Sequence, residues 1–153
     1  MKQRKFTPRS AFEYEAERNR DLMSAYKKVF TESALVPMPQ LLAAVVRMPA
    51  RRFYVSEERA VRVVSSMYRR PLPAGMNATK RRMYQEIWSR VERVRGRCPQ
   101  WSLSRCIMYV VNQPAPEFYI TVNTARNILC KTRRECRESL RRSWQQLPWL
   151  SAH

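Results

Sequence analysis

Pro49-Ala50-Arg51-Arg52-Phe53-Tyr54-Val55-Ser56 recurs as Pro114-Ala115-Pro116-Glu117-Phe118-Tyr119-Ile120-Thr121, at a constant offset of 65. Each copy opens on a proline, which forbids helix continuation, and runs through aromatic and β-branched residues that favour extended backbone. Each closes on a hydroxyl residue, Ser56 or Thr121, of the type that caps a helix N-terminus. The phrase therefore reads as a connector between two helices. The similarity continues on both sides: Val45-Val46 falls on Val110-Val111, Ala60 on Ala125, and Val63-Val64 on Ile128-Leu129. Upstream, Pro39-Gln40 resembles Pro99-Gln100 at an offset of 60, and Leu22, Met23, Tyr26 and Phe30 line up with Met83, Tyr84, Ile87 and Val91 at an offset of 61.

Working outward from the connectors, each copy reads as three helices. The first is amphipathic, with Leu22, Met23, Tyr26 and Phe30 on one stripe, or Met83, Ile87, Val91 and Val94. The second opens with Pro39 or Pro99 in its first turn. It continues with Leu42, Val45 and Val46, or with Leu103, Ile107, Val110 and Val111. The change of offset from 60 to 65 predicts a second helix about one turn longer in the second copy. The third helix carries Ala60, Val63, Val64 and Met67, or Ala125, Ile128, Leu129, Cys136 and Leu140, and in the second copy runs on to about Gln145. The expected fold is all-α: two duplicated three-helix units sharing one core, their connectors either loops or short strands paired across a pseudo-two-fold axis. The division is a basic tail (1–10), a first unit (11–70), a linker (71–77), a second unit (78–145) and a C-terminal tail (146–153). Units of about 60 to 70 residues are expected to fold poorly alone.

Composition limits the chemistry. The 153 residues are 44% hydrophobic, enough for a core. Only two glycines occur, Gly75 and Gly96, which excludes glycine-rich phosphate loops and dinucleotide fingerprints. The single histidine is His153, so histidine triads and most catalytic zinc sites are excluded. Cys98, Cys106, Cys130 and Cys136 form no Cys-x-x-Cys pair, and no metal or cofactor is expected. No apolar run is long enough to span a bilayer, and the charged N-terminus has no apolar stretch behind it. The acidic row Glu13, Glu17 and Asp21 is expected to pair with Arg18, Arg20 or the basic tail rather than to hold metal.

The charge is the outlier. Thirty Lys and Arg stand against twelve Asp and Glu, for a net +18. It is blocked: residues 47–70, 80–97 and 122–142 each carry +5, and residues 1–10 carry +4. Of the basic residues 24 are Arg, whose planar fork pairs bidentately with phosphate and stacks on bases. Nucleic acid, RNA or DNA, is the expected partner, reached mainly through Arg–phosphate contacts. The expected contacts are Arg51, Arg52, Arg62, Arg69, Arg81, Arg82, Arg133, Arg134, Arg137 and Arg141. Arg51-Arg52 stands opposite Pro116-Glu117, and that divergence is expected to mark the first connector as the one facing the polyanion. Trp88 and Tyr84 fit a core stripe, whereas Trp101, Trp144 and Trp149 are less committed. The connector, from Arg47 to Val55, is too long for a helix-turn-helix.

The phrase from Met48 to Ala60, followed by Lys80-Arg81-Arg82-Met83-Tyr84-Gln85-Glu86-Ile87-Trp88, resembles small basic proteins of gut Bacteroides phages and mobile elements over residues 42–95. The resemblance brings no catalytic motif. It implies a phage or mobile-element product in the cytoplasm of a bacterial host, beside a larger enzyme or inside a nucleoprotein assembly; a larger protein partner or a homo-oligomer is expected, and no membrane. The expectation is a non-enzymatic accessory subunit of a ribonucleoprotein or DNA-processing complex. The alternative is a structural protein within a phage particle, contacting packaged genome or an acidic capsid surface.

Overall fold

The computed structural model describes residues 9–33 and 35–146. Among these residues six helices follow one another: α1 (Arg9–Glu32), α2 (Met38–Val46), α3 (Glu57–Met67), α4 (Ala78–Arg97), α5 (Leu103–Val111) and α6 (Val122–Gln145). The architecture is all-α. The one β-type pairing among the described residues is an isolated antiparallel bridge between Ala50 and Ala115.

Local chemistry fixes the helix ends. Ser56 Oγ accepts from the Arg59 N–H at the start of α3, and Thr121 Oγ1 accepts from the Thr124 N–H at the start of α6. Glu57 and Glu58 then lie in the first turn of α3, where the helix dipole favours them. Pro37 precedes α2, and Pro39 sits in its first turn, where its missing N–H costs nothing. Ser102 caps α5 by accepting from the Arg105 N–H.

Two details differ from the sequence reading. Pro99 and Gln100 form a turn before α5 rather than its start, and α2 and α5 are equal in length. The register of the first helices also differs. The Ser33 N–H bonds to the Val29 carbonyl and the Cys98 N–H to the Val94 carbonyl, so the ends of α1 and α4 correspond at an offset of 65, not 61. At that spacing Leu22 stands opposite Ile87 and Tyr26 opposite Val91, all four buried. Phe30 falls opposite Arg95 and is 46% exposed, off the stripe on which the sequence placed it. A helical repeat of 3.6 makes shifts of one turn nearly degenerate for an apolar stripe, which is why 61 and 65 look alike in sequence.

The connectors cross each other. Ala50 and Ala115 exchange two backbone hydrogen bonds of 2.9 Å. The Phe53 N–H donates to the Val111 carbonyl at 3.2 Å, and the Phe118 N–H to the Val46 carbonyl at 3.0 Å. The second of these bonds is the first with each residue exchanged for its counterpart in the other half. The rings repeat the pattern: Phe53 stacks on Tyr119 with centroids 5.9 Å apart, and Phe118 on Tyr54 at 5.8 Å.

This crossing hands each third helix to the other half. α3 packs on α4 and α5, and α6 packs on α1 and α2. Phe53, Phe118, Leu22, Ile87, Val64 and Leu129 belong to one continuous buried cluster, and no polar or charged residue among those described is buried. Burial of apolar surface across the exchange, not within a half, is what holds the halves together. Trp88, expected in the core, is 37% exposed and leans on Tyr68 at the rim.

Candidate nucleic-acid interface

α6 continues for more than three turns past the point where its counterpart α3 ends. Leu129 is its last buried residue; from Cys130 onward every described residue but Thr132 is exposed. The helix continues as an arm because Arg, Glu, Leu and Ser hold helical geometry at little cost and no proline or glycine interrupts it before Gln146. Roughly sixteen residues of helix extend about 24 Å. The arm carries Lys131, Arg133, Arg134, Arg137, Arg141 and Arg142 against Glu135 and Glu138. Among the described residues none of these cations pairs with a carboxylate. Arg133 lies over the Tyr26 ring at 5.4 Å, anchoring the root of the arm. Cys136 and Leu140, expected on the core face, are exposed along it, with Trp144 one turn on.

The ten arginines chosen from sequence divide into two groups. Arg62 on α3, Arg69 just past it, and Arg134, Arg137 and Arg141 on the arm are exposed and carry no ion pair among the described residues. Arg133 is also exposed and without an ion pair, but lies against the Tyr26 ring, and the remaining four are engaged. Arg51 Nη2 donates to Asp21 Oδ1 at 2.8 Å. Arg52 is mostly buried, 3.9 Å from Glu17 and stacked 4.1 Å from the Tyr14 centroid. Arg81 donates to the Pro73 carbonyl at 2.7 Å. Arg82 Nη1 lies 3.0 Å from Glu117 Oε1. The acidic row on α1 thus faces the first connector: Glu17 and Asp21 serve Arg52 and Arg51, not Arg18 or Arg20. The side chain of Glu13, the residues 1–8, and Trp149 lie outside the described residues.

The connector region holds a feature the sequence did not announce. Arg82, Gln85, Glu86, Pro116, Glu117 and Tyr119 line an open-sided depression of about 370 Å³. Tyr119 has φ 53°, in the left-handed region that bulky side chains rarely adopt. Its phenol is pushed up to about 12 by burial first and then by the negative charges of Glu86 and Glu117. Tyr54, its counterpart, is raised further, by burial and by the 2.5 Å bond its hydroxyl donates to Asp21 Oδ2. At the offset of 65 the lining positions correspond to Glu17, Arg20, Asp21, Arg51, Arg52 and Tyr54; in the first half ion pairs join Arg51 to Asp21 and Arg52 to Glu17. The signal was present at that offset, since Glu17/Arg52 becomes Arg82/Glu117 with both charges exchanged. The register of 61 hid it.

All four cysteines are free, Cys106 buried and Cys130 and Cys136 exposed. Among the described residues no group of His, Cys, Asp and Glu is arranged to hold a metal ion. No described helix is long and apolar enough to cross a membrane. No protein-family model, curated protein or solved structure matches the chain.

Proposed function

We propose that this protein is a non-enzymatic nucleic-acid-binding subunit, an accessory of a ribonucleoprotein or DNA-processing complex of a phage or mobile element. In this reading its halves descend from one duplicated unit, and the constant offset of 65 supports that. The observation that carries the function is the α6 arm. Unpaired guanidinium groups on an exposed helix repel one another, and phosphates spaced along a strand are the partner that relieves this. Arg62 on α3 and Arg69 just past it add free cations without a second arm. The engaged arginines at the connectors set geometry instead.

The test is a salt titration of binding to single- and double-stranded probes. If six or more phosphates are neutralised on a duplex, affinity falls by roughly 10³–10⁵ between about 50 and 200 mM salt. Changing Arg134, Arg137 and Arg141 together to Glu lowers the slope of log affinity against log salt by about 3 and leaves the melting temperature near wild type. A flat titration, or an unchanged slope in the triple variant, would refute the assignment.

A further inference from the structure

Tyr68 and Trp88 stand at the rim where α3 ends beside α4, and each keeps more than a third of its surface exposed. Their centroids are 6.0 Å apart and their planes tilted by 49°, so the rings lean together without stacking. The Tyr68 hydroxyl donates to Glu92 Oε1. The Arg95 guanidinium lies 5.3 Å from the Tyr68 centroid and 3.5 Å from that same carboxylate oxygen. Glu92 is thereby spent inside the cluster. Arg69 and Arg70, the next residues along the chain, are exposed and carry no ion pair among the described residues. The core does not call for rings at this rim, since α4 buries Met83, Tyr84, Ile87 and Val91, and α3 buries Ala60 and Val64.

The same combination recurs at the equivalent place in the other half, on exchanged residues. At the offset of 65 Tyr68 becomes Arg133 and Arg95 becomes Phe30. There Phe30 stacks on Tyr26 with centroids 5.9 Å apart, and the Arg133 guanidinium lies over Tyr26. Arg134 follows Arg133 as Arg69 follows Tyr68, exposed and without an ion pair among the described residues. Each half thus sets an aromatic pair at its surface, a guanidinium over one ring, and a free cation next along the chain. Packing would fix which position is aromatic, yet the positions have traded and the combination is kept. An apolar protein surface would cover the rings and leave these guanidinium groups without a partner. A nucleotide meets both, its base on a ring or guanidinium plane and its phosphate on the free cation. In a duplex the faces of the bases are already covered by their neighbours. We propose that the Tyr68–Trp88 pair, with Phe30 as its counterpart, forms stacking platforms for unpaired bases of a single strand. This rests on the nucleic-acid reading above and adds strandedness to it.

The probes are a labelled thymidylate dodecamer and an abasic dodecamer of the same backbone and charge, read by fluorescence anisotropy on the full chain. Thymidylate is expected to bind about tenfold tighter or more, within the range of base–aromatic stacking. Tyr68→Leu with Trp88→Leu should lower that preference, and adding Phe30→Leu should bring thymidylate to the abasic level, with abasic binding unchanged. Trp88→Phe keeps a ring: the preference stays, while quenching of tryptophan fluorescence by unlabelled thymidylate shrinks. That quenching comparison stands even where the multiple variants fail to fold. Equal affinity of the wild type for both probes overturns the platforms and leaves the phosphate-based function intact. A preference that survives loss of all three rings, or quenching unchanged by Trp88→Phe, places the bases elsewhere and overturns the proposal too. Failure of both probes to bind overturns both readings. Polyglutamate that displaces the thymidylate probe as well as unlabelled thymidylate does would assign the rings to an acidic protein partner and overturn the proposal.

Discussion

The first and second connectors have the same backbone pairing and the same stacked rings, yet their polar partners are inverted. On the first, the helix is acidic and the connector basic, Glu17 and Asp21 against Arg52 and Arg51. On the second, the helix is basic and the connector acidic, Arg82 against Glu117. The apolar elements are held in common because both serve one core. One charge pair is inverted, Glu17–Arg52 against Arg82–Glu117, whereas Asp21–Arg51 stands opposite Glu86 and Pro116. One connector closes on itself and the other stays open.

The shared part carries the largest effect. Phe53 and Phe118 are 1% and 4% exposed and stand at the crossing. Phe53→Ala and Phe118→Ala should each cost about 3–5 kcal/mol in chemical denaturation. A large loss at one and a small loss at the other would break the equivalence of the two connectors.

The paired charges come next. Glu117→Arg places a second cation against Arg82 at a position where the Glu117 side chain is mostly buried, and should cost about 1–3 kcal/mol. Adding Arg82→Glu restores the polarity of the first half and should recover most of that loss, read as a coupling energy in a double-mutant cycle. Additive losses would show that the inversion is incidental. Arg51→Ala is the milder test: its side chain is 72% exposed, and removal should cost only about 0.2–1 kcal/mol. Arg52→Ala should cost more, because that guanidinium is mostly buried and lies against Tyr14.

The helices, their caps at Ser56 and Thr121, and the buried Phe53 and Phe118 were legible in the sequence because each rests on local chemistry or on a match in the repeated phrase. Trp88, Cys136 and Leu140 were misplaced because a helical stripe shows which face is apolar but not how far along the helix a partner extends. The exchange of third helices left no trace, since a core-facing helix has the same pattern whichever half it packs on. Among candidate site residues, exposure on a helix was readable for Arg62, Arg134, Arg137 and Arg141. The engagement of Arg51, Arg52 and Arg82 was not, because each finds its partner on a different element, beyond the reach of any local pattern. The left-handed backbone of Tyr119 has no glycine or asparagine to announce it.

The smallest expected effect is alkaline. Both connector tyrosines have phenols held neutral in the folded state above their ordinary value near 10. Stability is complete below that value and falls as the pH rises toward the folded-state values, because the unfolded chain releases those protons first. Tyr54→Phe should remove more of this decline than Tyr119→Phe, since Tyr54 is raised further. Melting curves between pH 9 and about 11 make the comparison.

The exchange of third helices also sets a timetable. Ribosomes add about 5–20 residues per second, so roughly 2–9 s separate completion of α3 from completion of α5, the later of the two helices it packs on. During that interval Ala60 and Val64 have no home in the chain already made.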